Sequence, residues 1–158
     1  MKKVGREIAI GIVIVVILAT VAATLLLTVV TTIFDAEPIE GRLSSIQDLN
    51  HAPELSQSLP LTGEIIYRFE PGYKANRLTF ATQELDVTAF LAWCERREFL
   101  VRPATEGDLT NVIDRLGPLG VGLRWSDDVK VTGGVVNGVP FDAGFNNDGS
   151  LLVVTSVY

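Results

Sequence analysis

The sequence predicts an α+β protein: a single N-terminal transmembrane helix followed by one small domain with a mainly antiparallel sheet and one or two covering helices. Residues 8–34 contain no charged side chain, two later segments repeat apolar residues at helical spacing, and others alternate apolar and polar residues between turns. We expect four regions: a cytoplasmic N-terminus at 1–7, the transmembrane helix at 8–34, a tether with a short helix at 35–60, and an extracytoplasmic α+β domain at 61–158.

The apolar segment at 8–34 is long enough to cross a bilayer. As a helix its 27 residues would extend about 40 Å, against a hydrocarbon core of about 30 Å. In lipid a single segment can satisfy its backbone hydrogen bonds only as a helix. A cleavable secretory signal is the alternative, because Val21, Ala22 and Ala23 are typical of a cleavage site. The apolar run continues for eleven residues beyond Ala23, which favours a retained anchor.

The charges that flank this segment predict its orientation. Lys2, Lys3 and Arg6 precede it, whereas Asp35, Glu37 and Glu40 follow it. Positive charges next to a span remain in the cytoplasm, so we expect a cytoplasmic N-terminus and an extracytoplasmic domain. An uncleaved anchor without a lipidated cysteine suits a bacterial plasma membrane, and the lipid bilayer is then the first partner of the chain.

One face of the predicted span carries small and hydroxylated residues. Such a face lets two helix backbones approach closely, which predicts a contact with a second copy or with a partner subunit. The alternative is that each hydroxyl donates to the carbonyl four residues earlier in its own helix and faces lipid. The residues concerned are Ala19, Thr20, Ala23, Thr24, Thr28 and Thr32.

Charge and cysteine content exclude some function classes. Beyond residue 34 the chain has ten basic and eighteen acidic side chains, a net charge of −8. Nucleic acids bind to basic surfaces, so we expect no nucleic-acid partner for this acidic domain. With a single cysteine, Cys94, the chain cannot form an internal disulfide.

The first half of the domain combines strands and helices. In the tether, Leu43, Ile46 and Leu49 recur every three residues and predict a short helix. The segments 64–70 and 77–85 alternate apolar and polar residues, which predicts two paired antiparallel strands. Asp86 is the expected N-cap of a helix whose apolar stripe includes Val87, Phe90, Leu91 and Cys94.

The second half of the domain is mostly strands. A short strand at 99–102 precedes a second helix, expected from Thr105 through Leu116 and ended by Gly117 and Pro118. Asn137 and Gly138 tolerate the positive φ of a two-residue hairpin turn, and Asp148 with Gly149 is a second turn signal. The expected strands cover residues 120–125, 129–136, 139–145 and 151–157.

Histidine and cysteine offer no catalytic site. His51, the only histidine, lies in the predicted tether, where we expect a solvated side chain. One histidine also excludes a multi-histidine metal site within one chain. Cys94 lies on the apolar stripe of its helix, which indicates a buried structural thiol rather than a nucleophile.

The carboxylates and tryptophans are assigned to turns and packing. The run from Asp142 to Ser150 fails as a calcium loop, because the positions that require carboxylates fall on Gly144 and Thr155. Asp127 and Asp128 are expected at a solvated turn. Trp93 and Trp125 are expected to pack in the core or at a sheet edge. The sequence therefore predicts no catalytic, cofactor-binding or metal-binding residues.

We expect a non-enzymatic, single-pass membrane protein whose extracytoplasmic domain serves protein interaction or assembly, with another protein or a second copy as partner. One alternative is a membrane-tethered hydrolase or carbohydrate-binding domain, which requires Asp127, Asp128, Asp142 and Trp125 to converge in a cleft. Another is a structural subunit of a larger membrane complex, recognised mainly through the span.

Overall fold

The computed structural model describes residues 14–26, 28–29, 37–72, 74–110 and 112–158, which fall in two units, Met1–Ala36 and Glu37–Tyr158. In the first unit, residues 14–26 and 28–29 are helical. Within the described ranges, no helix is both long enough and apolar enough to span a membrane. The topology residues Lys2, Lys3 and Arg6, together with Thr32, lie outside the described residues.

The second unit is built on one antiparallel sheet, as the alternating segments predict. In its described part the sheet has seven strands in the order β1-β2-β3-β7-β6-β5-β4, and each neighbouring pair is antiparallel. The α+β class of the domain is therefore confirmed. The strands are β1 (Ile39–Leu43), β2 (Ile65–Glu70), β3 (Arg77–Thr82), β4 (Arg102–Pro103), β5 (Val129–Val136), β6 (Val139–Asn146) and β7 (Leu152–Val157).

The helices of this unit are few and short. Asp86 caps the longest one by accepting a hydrogen bond from the Ala89 amide, as its position before an apolar stripe predicts. The α-helices are α1 (Pro53–Ser56), α2 (Val87–Arg96) and α3 (Glu106–Leu109), and two 3-10 helices span Ile46–Asp48 and Asp114–Gly120.

Both faces of the sheet are covered. On the first face, α2 and the residues before β2 enclose a large apolar core around Phe80, Phe90 and Phe145, which are fully buried. On the second face lies a covering segment, residues 105–110 and 112–125, whose Leu116 and Leu123 pack in a smaller apolar cluster. The predicted covering helices therefore describe only the first face, because the second face is covered by a largely irregular segment.

The predicted tether is largely part of this domain. Ile39–Leu43 forms β1 and pairs with β2, although the segment carries only two large apolar side chains. Ile46, Leu49 and Leu55 are buried in the core of the first face. The short helix expected around them is a single 3-10 turn, Ile46–Asp48, with Ser45 as its N-cap. Residues 37–60 thus belong to the folded domain, where they supply an edge strand and part of the core.

The predicted second helix is also shorter than expected. It begins after Thr105 with the expected capping box but ends at Leu109, because Thr110 adopts extended backbone with φ −61° and ψ 121°. Gly117 has φ 58° and interrupts the 3-10 helix that follows. The strand predicted at 120–125 is wrong, since Gly122 has φ 95° and leaves the extended conformation. The strand predicted at 99–102 is reduced to β4.

The turn predicted at Asn137 and Gly138 is confirmed. Both residues have positive φ, 50° and 87°, as a two-residue hairpin between β5 and β6 requires. The Asn137 amide also donates to the Glu54 carbonyl and to the Ser58 hydroxyl. The hairpin tip is therefore tied to the end of α1.

Candidate ligand-binding groove

A groove of about 490 Å³ lies on the second face of the sheet, between β5, β6, β7 and the covering segment. Its floor is formed by alternate residues of the three strands, which the register places side by side. Asp142 of β6 pairs with Gly133 on one side and with Thr155 of β7 on the other. Leu109 and Trp125 from the covering segment form the wall. The covering segment and the three strands that follow it in the chain are thus both needed to build the groove.

Two glycines on the floor give the groove its shape. A Cβ at Gly133 would lie 2.6 Å from Asp142 Oδ1, and a Cβ at Gly144 would lie 3.0 Å from Trp125 Cη2. Such distances are shorter than ordinary contacts, so each glycine leaves the space that its neighbour's side chain occupies. Asp142 and Trp125 can therefore lie close to the backbone of the sheet.

Thr155 is the least expected residue on the floor. Its side chain lies on the same face as Asp142, and the residue is only 7% exposed. In the described part of the chain, its hydroxyl oxygen has no hydrogen-bond partner. A buried polar group without a partner costs about 1–3 kcal/mol. The oxygen itself has almost no exposed surface, so a ligand reaches it only when the side chains around it shift.

The charged residues of the groove differ in how they are paired. Arg102 and Asp108 form a bidentate pair at 2.7 and 2.8 Å. Hydrogen bonds from Arg102, and then from Thr105, hold the pKa of Asp108 well below its ordinary value. Among the described residues, neither Arg115 nor Asp142 has an ion-pair partner. One cation and one anion therefore remain for a ligand, and the groove is neutral as a whole.

The groove unites two of the four residues that the carboxylate hypothesis requires. Asp142 and Trp125 both line it. Asp127 and Asp128 do not line it and are exposed before β5, as expected for a solvated turn. The signal that could have identified the floor was the presence of Gly133 and Gly144 inside strands, since such glycines mark a close approach. Thr155 and Arg115 gave no comparable signal.

His51 and Cys94 lie away from the groove lining. The His51 ring stacks on Phe69 at 4.0 Å between ring centres, so the expectation of a simply solvated side chain is wrong. Cys94 is buried, and burial raises the pKa of its thiol to about 11. The predicted burial of the thiol is therefore confirmed, and a protonated thiol is a poor nucleophile. Within the described ranges, no group of three His, Cys, Asp or Glu side chains is placed to hold a metal ion.

The tryptophans have different surroundings. Trp93 is 5% exposed and packs among Phe90, Phe99 and Phe141, as expected for a core residue. Trp125 is half-buried, packs against the smaller cluster and also lines the groove. The packing interpretation therefore holds fully for Trp93 and in part for Trp125.

In the N-terminal helix, threonine hydroxyls form hydrogen bonds within their own helix, which is the alternative to packing against a second helix. Thr20, Thr24 and Thr28 each donate to the carbonyl four residues earlier, at 2.8 to 2.9 Å. Their hydroxyls thus need no second helix to be satisfied. The close packing of a second helix against this face, which includes Ala19 and Ala23, stays a prediction.

The two edges of the sheet are unequal. β1 has five residues, and within the described chain its backbone forms a ladder with β2 alone. At the opposite edge, β4 has two residues, one of which is Pro103. Proline has no amide hydrogen to donate, so β4 offers little to a further strand.

No protein-family model, curated protein or solved structure matches the chain. Its function is therefore inferred from the groove, the sheet edge and the sequence alone.

Proposed function

We propose that this chain is a non-enzymatic single-pass membrane protein with its N-terminus in the cytoplasm, whose extracytoplasmic domain binds another protein at the free edge of β1. The apolar run at 8–34 and its basic flank support the anchor and the orientation. The observation that carries the binding role is the unequal pair of sheet edges. An open edge strand is a ready template for pairing with an extended segment of a partner.

The side chains of β1 leave this edge weakly protected. Proteins usually block open edges with free charges, bulges or prolines. Here Glu40 pairs with Arg68 at 2.6 Å, and Arg42 pairs with Glu64 at 2.8 Å. The Glu40 charge is therefore compensated within the domain, whereas Arg42 and Glu64 are both 61% exposed and form a weak surface pair. Ile39 is 47% exposed and adds an apolar contact for an incoming strand.

The groove supports binding more than hydrolysis. A carboxyl group that acts as general acid needs a raised pKa, so that it is protonated near neutral pH. Arg102 instead lowers the pKa of Asp108, which keeps this carboxyl group ionised. Asp142 is then the one carboxylate of the groove that is free to contact a ligand. A binding role without catalysis needs no second acid.

The proposal is tested by charge substitution at the β1 edge. Ile39→Lys should reduce the amount of partner that co-purifies with the full chain from native membranes, because a lysine disfavours strand addition. Val135→Lys is the matched control, since Val135 is 59% exposed and lies on β5, far from β1 in the order of the strands. Site-specific photo-crosslinking from position 39 would show whether the partner is a second copy or a different protein. Equal recovery with both variants would exclude the β1 edge as the binding surface.

The same purification tests the anchor and the membrane contact. Replacing Thr20, Thr24 and Thr28 with Leu should leave the partner bound if the domain carries the contact. Loss of the partner from this variant, with normal recovery from Ile39→Lys, would instead favour a structural subunit recognised through the span. Carbonate extraction of the full chain should leave it in the membrane fraction.

A further inference from the structure

We propose that the groove on the second face binds a neutral sugar, which is a site separate from the β1 edge. Asp142, Thr155 and Arg115 would hydrogen bond to its hydroxyl groups, while Trp125 and Leu109 would pack against its C–H groups. All five residues line the groove. The volume of about 490 Å³ falls within the range of about 300–1,000 Å³ that is usual for small-molecule sites.

The polar groups of the groove match hydroxyls better than other groups. A carboxylate such as Asp142 only accepts hydrogen bonds, and a guanidinium such as Arg115 only donates them. The hydroxyl of Thr155 does both and has no partner in the described part of the chain. A ligand hydroxyl also does both, so several hydroxyls on one ring can satisfy all three side chains.

The charges of the groove disfavour ligands with net charge. Arg102 and Asp108 neutralise each other, which leaves one free anion and one free cation. An anionic ligand would meet Asp142, and a cationic ligand would meet Arg115. A zwitterion could meet both, but Asp142 is exposed, and ion pairs in exposed positions contribute little. A neutral polyhydroxylated ligand meets no repulsion.

The wall of the groove supplies the apolar part of a sugar site. Trp125 and Leu109 lie close above Gly144, where even a Cβ would come within 3.0 and 3.6 Å of them. Trp125 is half-buried, so part of its ring remains available to a ligand. Aromatic rings combine a large apolar surface with few rotatable bonds, which suits a small rigid ligand.

Titration of the full chain with defined sugars tests the proposal. The detergent should be zwitterionic, because maltoside and glucoside detergents carry sugar headgroups that would compete. The probes are D-glucose, D-galactose, N-acetyl-D-glucosamine and maltose, followed by calorimetry and by the shifts of the Trp125 indole signal. We expect saturable binding of at least one sugar. Asp142→Asn should weaken that binding by about tenfold, the effect of one hydrogen bond to a charged group.

Two further variants separate binding from folding. Thr155→Val keeps the shape of the side chain and should weaken sugar binding by about threefold or more, the effect of one lost neutral hydrogen bond. Asp127→Asn is the matched control, because Asp127 is exposed and does not line the groove. The proposal is overturned if none of the four sugars binds, if Asp142→Asn and Thr155→Val bind as the unmodified chain does, or if glycylglycine binds where the sugars do not.

Discussion

The two faces of the sheet use the same strands for different purposes. The first face buries large apolar side chains such as Phe80, Phe90 and Phe145 under a regular helix. The second face exposes Asp142 and buries the unpartnered Thr155 beside two glycines. Alternation along a strand sends neighbouring residues to opposite faces, so one strand can serve both. The comparison indicates that the first face supplies stability, whereas the second face gives up stability to keep a groove.

The elements that cover the two faces also differ in regularity: the first face is covered by a regular helix and the second by an irregular segment. α2 is a ten-residue helix with a side-chain N-cap. The covering segment has a four-residue α-helix, a 3-10 helix interrupted at Gly117, and two glycines with positive φ, Gly117 and Gly122. Regions with few buried apolar contacts open more readily than packed cores. We therefore expect the covering segment to open before the first face does.

The largest effect should come from the first face. Phe145→Ala removes a fully buried ring and should lower the free energy of unfolding by about 3–5 kcal/mol. Val121→Ala, at a side chain that is 84% exposed, should change it by less than about 0.5 kcal/mol. The buried thiol of Cys94, the only cysteine, reports unfolding directly when its labelling is followed in increasing urea. A loss below about 1 kcal/mol for Phe145→Ala would contradict the conclusion that the first face supplies the stability of the domain.

An intermediate effect should come from the glycines of the covering segment. Gly122 has φ 95°, and an added Cβ would meet no atom within 4 Å, so Gly122→Ala should cost about 1–2 kcal/mol through backbone strain alone. Gly117 has φ 58°, and an added Cβ would also overlap the Arg68 guanidinium that pairs with Glu40. Gly117→Ala should therefore cost more than Gly122→Ala.

Gly107→Ala is the control for both variants. Gly107 lies in α3 without a positive φ, and an added Cβ would meet no atom within 4 Å, so its substitution should not lower stability. Urea unfolding of the three variants, followed by circular dichroism, ranks them. An equal cost at Gly117 and Gly122 would show that the contact with Arg68 adds nothing to the backbone strain.

Much of the fold is predictable because its signals are local. The alternation in Ile65–Glu70 and the turn at Asn137 and Gly138 are visible within a few residues, and both predictions are confirmed. β1 was not predicted, since its sequence IEGRL alternates weakly and its place depends on pairing with β2. Tertiary pairing overrides local preference at such positions.

The covering segment was predicted incorrectly for a related reason. Leu109, Val112, Ile113 and Leu116 recur at helical spacing, but the chain turns at Thr110 so that these residues reach the sheet from above. The groove could be predicted only in part. Asp142 and Trp125 were candidates, whereas Thr155 required knowledge that β7 lies beside β6. Sequence periodicity carries no information on which strands become neighbours.

A smaller effect, of opposite sign, is expected at Thr155. Thr155→Val replaces an unpartnered buried hydroxyl with a methyl group of similar shape and should stabilise the domain by about 1 kcal/mol. Thr155→Ser keeps the hydroxyl and should not stabilise it. Urea denaturation compares the two variants. A stabilised Thr155→Val that also loses sugar binding would sharpen the comparison, because it would show directly that the second face exchanges stability for a ligand contact.

The smallest expected effect is on the stability of the domain at acid pH. Arg102 and Thr105 lower the pKa of Asp108 in the folded state below its ordinary value of 3.8. The unfolded chain therefore binds a proton at Asp108 more readily, so the stabilisation is fully present above about pH 5 and is lost progressively as the pH falls through the unfolded pKa towards the lower folded pKa. Because this pair is at the surface, we expect a small change in the acid unfolding midpoint.

Asp108→Asn isolates this contribution. The variant should unfold with a weaker dependence on pH between 4 and 2 than the unmodified chain, since its side chain cannot be protonated there. Asp127→Asn is the matched control at an exposed position outside the groove. Salt should reduce the difference, because it screens exposed pairs. If Asp108→Asn keeps the full acid dependence, then the Arg102–Asp108 pair only orders the rim of the groove, and the stability of the second face depends on its small apolar cluster instead.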